Sequence, residues 1–185
     1  MAKFNIINTD IEGLYIIEPK VFIDNRGYFS EIYNEAEFKN IGIYKSFLQD
    51  NISYSKKGVL RGLHFQHKRP QGKLTRVVNG QVYDVAVDLR VGSKTYGKWY
   101  GIVLSENNKK MLYIPEGFAH GFYVLSDFAI FEYKCTDYYV PSDQQGIIWN
   151  DSELGIEWPI DTSTDIILSE QDKKWGTVKD FQKCI

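Results

Sequence analysis

Only three histidines occur in this chain, His64, His67 and His120, alongside thirteen tyrosines. An imidazole titrates close to neutral pH, so each is a candidate proton carrier and a candidate metal ligand. A divalent metal needs several imidazole and carboxylate groups converging on one point. His64 and His67 are spaced i, i+3, and on a strand such positions point to opposite faces, so one regular strand cannot offer both to a metal. No acidic residue lies between Gln66 and Gly80, and Lys73 supplies a cation where a metal site would want an anion. What remains is a proton-transfer kit of two imidazoles, a lysine, tyrosines and a few carboxylates. Taken singly, each has a plainer reading: His64, between Leu63 and Phe65, as a core histidine, and Lys73 as a solvated strand lysine.

The elements that must position these groups read as strands. Lys73–Val78, Asn79-Gly80 and Gln81–Asp88 predict a β-hairpin, because Asn-Gly tolerates the positive φ of a type I′ turn. Further strands are expected at 13–17, 29–32, 45–51, 59–66, 98–103, 111–114, 121–125 and 128–135, with turn signals between them. On Gln81–Asp88 the polar Asp84 and Asp88 share a face with Val82 and Ala86, while Tyr83, Val85 and Val87 form an apolar face. Asn34-Glu-Ala-Glu37 and Ser169-Glu-Gln-Asp172 read as capping boxes opening short helices. Trp149 and Trp158, with Pro159, are expected to pack over one end of the sheet structure.

The chain has 185 residues, the size of one domain with one core, read here as residues 1–185. Aromatics make up 15% of it, which favours an all-β protein with a walled pocket over a helical bundle. A net charge of -2 argues against a generic nucleic-acid binder or a polybasic membrane protein. Cys135 and Cys184 cannot form a disulfide framework, and neither belongs to a Cys-x-x-Cys pair. No stretch reads as a signal peptide or a membrane span. Together these predict a cytoplasmic protein with free thiols.

Pro115-Glu-Gly117-Phe-Ala-His120 resembles the second motif of the cupin jelly rolls, while the first cupin motif is broken around His64. More specifically, six segments resemble the dTDP-4-dehydrorhamnose 3,5-epimerases, in order and over almost the whole chain. They are Asp24–Phe29, Gln49–Asn51, Gly58–Gln66, Val82–Arg90, Ile114–Phe122 and Tyr133–Tyr139. The resemblance implies a cupin-like jelly-roll barrel with a few peripheral helices, working as a metal-free, cofactor-free homodimer on a dTDP-linked 4-keto-6-deoxyhexose. It implies His64 as the base, Asp172 as its dyad partner, Lys73 as the holder of an enolate oxygen and Tyr133 as the acid. His120, paired with Asp84, would line the pocket. Arg26 and Arg61 would meet the diphosphate, Glu31, Gln49, Asp50 and Asn51 the sugar-nucleotide groove, and Tyr139 the thymine. Gln144 and Gln171 depart from residues common in the family, an acidic residue and a lysine respectively. A single-carbon epimerase and a non-catalytic sugar-nucleotide binding module are the alternatives.

The first expected outcome follows from Lys73 and the acid-free stretch around it. Elemental analysis of purified protein should find no stoichiometric transition metal, and chelation should leave turnover intact. One iron, zinc or manganese per chain would overturn this reading of His64 and His120.

Overall fold

Runs of β-branched and aromatic residues form strands, since such side chains pack well on a pleated surface. The computed structural model describes residues 3–182; Cys184 lies outside them. In chain order the strands are β1 (Phe4–Asn8), β2 (Tyr15–Pro19), β3 (Val21–Asp24), β4 (Gly27–Ser30), β5 (Gln49–Lys56), β6 (Leu60–Gln66), β7 (Lys73–Asn79), β8 (Gln81–Asp88), β9 (Trp99–Ser105), β10 (Met111–Ile114), β11 (Phe118–Val124), β12 (Phe128–Cys135) and β13 (Gln144–Gly146). Two short helices, α1 (Glu35–Asn40) and α2 (Val178–Gln182), lie outside the sheets. A six-stranded sheet runs β1-β2-β10-β7-β12-β5 and a five-stranded sheet runs β13-β6-β11-β8-β9, with β3 and β4 forming a separate hairpin. This is a cupin-like jelly-roll barrel of antiparallel sheets.

Strand alternation divides the side chains between three packing layers. Between the sheets, Leu14, Val77, Val82, Leu104, Leu112, Phe122 and Phe131 fill one end of the barrel. On the outer face of the five-stranded sheet, Leu63, Phe65, Val85 and Val87 are covered by Ile147, Leu154 and Val178, with Trp158 against them. The Trp158 indole N–H donates to the Trp149 carbonyl at 2.8 Å, so this C-terminal region covers the outer face of the five-stranded sheet and not one end of the barrel. On the outer face of the six-stranded sheet, Ile17, Leu74 and Met111 pack under Phe38 of α1. Asn34 caps that helix by accepting from the Glu37 backbone N–H at 3.2 Å.

Two local expectations fail. The strands flanking Asn79-Gly80 do not form a hairpin, because β7 pairs with β10 and β12, whereas β8 pairs with β9 and β11. Asn79-Gly80 is a corner passing from one sheet to the other. Only Gly80 takes positive φ, at 83°, and a Cβ there would stand 2.1 Å from the Phe128 carbonyl oxygen. The glycine thus serves a close crossing with β12, not a type I′ turn. Similarly, Ser169–Asp172 makes one turn instead of opening a helix. The Asp172 N–H does bond to Ser169 Oγ at 3.0 Å, but the Asp172 carboxylate is committed to His64 across the chain. The helix forms later, at α2, where Thr177 and Asp180 make the reciprocal cap.

Gly80→Ala should lower stability by about 2 kcal/mol, or roughly 6 °C in Tm, because a left-handed residue acquires a Cβ facing backbone. A thermal melt within about 1 °C of the parent would show that the corner can relax.

Candidate active site

The barrel end opposite the apolar fill is polar, and the same strand alternation makes it so. β6 turns Leu63 and Phe65 outward and His64 inward. β7 sends Lys73 and Thr75 inward beside Val77, and β12 sends Tyr133 and Cys135 inward beside Phe131. His120 on β11 pairs in register with His64. A hollow of about 130 Å³ is lined by Ser53, Arg61, His64, Lys73, His120 and Tyr133. A second, of about 80 Å³, shares His64, Lys73 and Tyr133 and continues to Gln71, Tyr139 and Gln144. Wider hollows on the outer surface contain no histidine.

His64 and His120 each meet one carboxylate, in different surroundings. His64 Nε2 lies 2.5 Å from Asp172 Oδ1, with the imidazole 30% exposed and Asp172 almost wholly buried. Burial alone would raise the Asp172 carboxyl, but the bonds from His64, Ser169 and Trp175 hold it below its usual range. His120 Nε2 lies 2.7 Å from Asp84 Oδ1, and Thr75 donates to the other Asp84 oxygen at 2.7 Å. Both members of this pair are buried. Burial lowers the His120 imidazole below the usual histidine value, with Asp84 pulling the other way and the Lys73 charge adding to the depression.

Lys73 is 9% exposed, and among the described residues no hydrogen bond or ion pair holds its ammonium. The Tyr133 ring lies 5.9 Å from Nζ. Burial pushes the Lys73 ammonium below the usual lysine value, against the opposing pull of Cys135 and Asp84. Burial likewise raises the Tyr133 phenol. A phenol and a lysine side chain therefore face the imidazole of His64 from the opposite sheet. Such a set can take a proton from a carbon acid, hold the resulting oxyanion and return a proton from the other side.

Other residues singled out in the sequence are placed unevenly. Arg61 reaches the cavity while its Nε donates to Ser55 Oγ at 3.0 Å. Tyr139 stands at the cavity mouth, its backbone N–H on Gln49 Oε1 at 2.9 Å and its hydroxyl on Gln144. Gln49 in turn donates to Asn51 at 2.8 Å, on the inward face of β5. Asp50 is on the opposite, outward face of β5 and pairs with Lys134 at 2.8 Å. Arg26 sits in the turn of the β3–β4 hairpin, 86% exposed and paired with Asp24, and Glu31 pairs with Lys3. Asp50, Arg26 and Glu31 line neither hollow. Gln171 is exposed. His67 is exposed and packs edge-on against Phe181.

Ser53, Thr75, Cys135 and Trp175 escaped the sequence reading. Counting by twos along a strand would have found the first three: Ser53 from Asn51, Thr75 from Lys73, Cys135 from Tyr133. The Ser53 hydroxyl is buried with no partner among the described residues. No comparable sequence signal marks Trp175. Among the described residues no three His, Cys, Asp or Glu side chains form a metal-binding cluster, and no helix is long and apolar enough to cross a membrane.

A two-sheet antiparallel barrel with histidine, lysine and tyrosine lining one polar hollow has the architecture of a cupin-like enzyme. Residues 8–180 match the family model described as dTDP-4-dehydrorhamnose 3,5-epimerase. A curated relative of that name from Methanothermobacter thermautotrophicus is 52% identical over 180 residues, covering 97% of each chain. A Legionella pneumophila dTDP-6-deoxy-D-glucose-3,5-epimerase, solved with dTDP-4-keto-L-rhamnose, superposes with a TM-score of 0.92 at 50% identity, covering 95% of this chain and 93% of that one. A 3'-monoepimerase from Streptomyces bikiniensis, solved with dTDP-quinovose, gives a TM-score of 0.87 at 29% identity, covering 95% and 89%. The chain belongs to the dTDP-4-dehydrorhamnose 3,5-epimerase family and is an enzyme of that family.

The buried ammonium makes a stability prediction with a definite sign. Because the folded-state pKa of Lys73 is lowered, the folded chain holds this proton less tightly than the unfolded chain does. The resulting destabilisation is full below the lowered folded-state value, fades as pH rises from there, and is gone above the ordinary lysine value of about 10.4. Lys73→Met should therefore raise stability by about 1–3 kcal/mol near neutral pH, with a smaller gain near pH 10. A destabilised variant in urea titrations at neutral pH would refute this.

Proposed function

We propose that this enzyme inverts C3 and C5 of dTDP-4-dehydro-6-deoxy-D-glucose, giving dTDP-4-dehydro-L-rhamnose. The observation that carries the reading is the opposition of His64 on one sheet to Lys73 and Tyr133 on the other, across one cavity. Both carbons flank the C4 ketone, so loss of either proton yields an enolate on the same oxygen. His64, oriented by Asp172, takes the proton. The Lys73 ammonium stabilises the enolate oxygen, and the Tyr133 hydroxyl returns a proton to the opposite face of the carbon. His120, with Asp84 behind it, lines the cavity beside the ketone. Arg61 engages the diphosphate, Gln49 and Asn51 the groove, and Tyr139 stacks on thymine.

The reading includes a cytoplasmic homodimer made of one domain per chain. Exposed Ile23, Tyr28 and Phe29 on the β3–β4 hairpin suit a surface that a second copy covers. Arg26 and Glu31 belong to that hairpin region, away from the chain's own cavity. A second reading, inversion at a single carbon, is favoured by the fold shared with the Streptomyces 3'-monoepimerase.

In deuterated water the enzyme should exchange the protons at both C3 and C5, seen by proton NMR, and His64→Ala should abolish both exchanges. Tyr133→Phe should preserve exchange while inversion at one carbon or both fails, since deprotonation needs only the imidazole and Lys73. Exchange confined to one carbon would move the assignment to a single-carbon epimerase; none at either would move it to a binding module.

A further inference from the structure

The oxygen of Asp172 that meets His64 has a second donor. Trp175 Nε1 donates to the same Asp172 Oδ1 at 3.2 Å. The indole also stands edge-on to the imidazole, with centroids 6.1 Å apart and planes at 69°. Its seat is Gly146, where a Cβ would lie 2.5 Å from Trp175 Cε2 and 2.6 Å from Nε1. Gly146 takes no left-handed conformation, so the glycine supplies space. It is also the residue of β13 paired directly with His64 of β6. The neighbouring backbone is tied to the same sheet, since the Ile148 N–H donates to the Gly176 carbonyl at 2.9 Å.

Asp172 comes from a one-turn segment outside both sheets, so the His64 strand alone cannot fix its carboxylate. The indole fixes it, because it rests on the strand next to His64 and grips the oxygen that His64 uses. We propose that Trp175, seated on Gly146, is a positioning residue for the proposed base, holding Asp172 Oδ1 in line with His64 Nε2 and walling one edge of the imidazole. This rests on the reading of His64 as the base. Trp175 lines neither hollow and acts only through the dyad.

The other charged or titratable groups facing His64 are Arg61 on its own strand, Lys73, His120 and Tyr133 from the facing elements, and Tyr139 at the mouth. None bonds to Trp175, so replacing the indole changes only the donor set of Asp172. That donor helps hold the Asp172 carboxyl below its usual range.

The test compares the parent enzyme with Trp175→Phe, which keeps a ring but has no N–H, and Gly146→Ala, which keeps the indole but displaces it. The proton between His64 and Asp172 is followed as a downfield NMR signal, assigned by its loss in His64→Gln. Both variants should weaken or shift that signal and lower kcat roughly tenfold with KM within about twofold. Should phenylalanine loosen the turn, as read by circular dichroism, Gly146→Ala carries the test. A Trp175→Phe enzyme with parental signal and kcat would overturn the proposal, whatever His64 does. A changed signal with unchanged turnover would leave the positioning role standing and would instead remove His64 from the role of base.

Discussion

A lysine ammonium that no hydrogen bond or ion pair holds among the described residues sits inside this barrel, and the rest of the molecule is arranged so that it can stay there. Transferring such a cation out of water is costly, and the cost is recovered only when something else holds the chain closed. Here that is the apolar end of the same barrel. Phe131, two residues from Tyr133, stacks on Phe122 with centroids 4.2 Å apart and belongs to the inter-sheet core. His120 also stacks on Phe131, with centroids 6.0 Å apart. The strands that anchor the core are thus the strands that present Lys73, Tyr133 and His120. Core and site are successive positions on the same inward faces, and neither can shift without the other.

The two imidazole–carboxylate pairs show how environment separates groups of identical chemistry. His120 and Asp84 are both buried, and desolvation, opposed by Asp84 and aided by the nearby Lys73 charge, lowers the imidazole below the usual histidine value. His64 is partly open, and its carboxylate partner is the buried member. An imidazole that must collect a proton and release it to solvent needs that access, whereas a neutral imidazole beside a ketone needs only to be fixed. The two surroundings suit the roles proposed for them, one proton carrier and one rigid wall, although the residue types are the same.

Much of this was legible in the chain, for reasons that can be named. β10 and β12 fall where alternation predicts them, and the inward set Val82, Asp84 and Ala86 follows from the period of two. The capped helix at Asn34 was legible because its cap is local. What sequence missed was decided by distant partners. Asn79-Gly80 carries the signature of a hairpin, but its neighbours are strands from two different sheets. Ser169-Glu-Gln-Asp172 has a capping pattern, but the aspartate is drawn off by His64, 108 residues away in sequence. Asp50 stands between Gln49 and Asn51, and the pleat alone turns it outward to Lys134. Adjacency in a motif is not adjacency in space when the motif lies on a strand.

Facing sheets in such barrels lie about 10 Å apart, and that spacing bears on the chemistry proposed for the site. A six-membered sugar ring entering edge-on would present one face to the β6 side and the other to the β7–β12 side. Inversion at carbon requires removal and return of a proton on opposite faces, so a base and an acid on the same sheet could only restore the starting configuration. Placing His64 and Tyr133 on different sheets meets this requirement through topology, with no need for the substrate to turn over between steps. Lys73, on the strand paired with Tyr133, then acts on the ketone oxygen common to both reacting carbons. Which carbons react is thereby left to the contacts that slide or pucker the ring within the cavity. On the proposed reading, Ser53 of β5, whose hydroxyl is buried and without a partner among the described residues, lines the cavity where such contacts would be made, while the base and the acid stay where the sheets hold them.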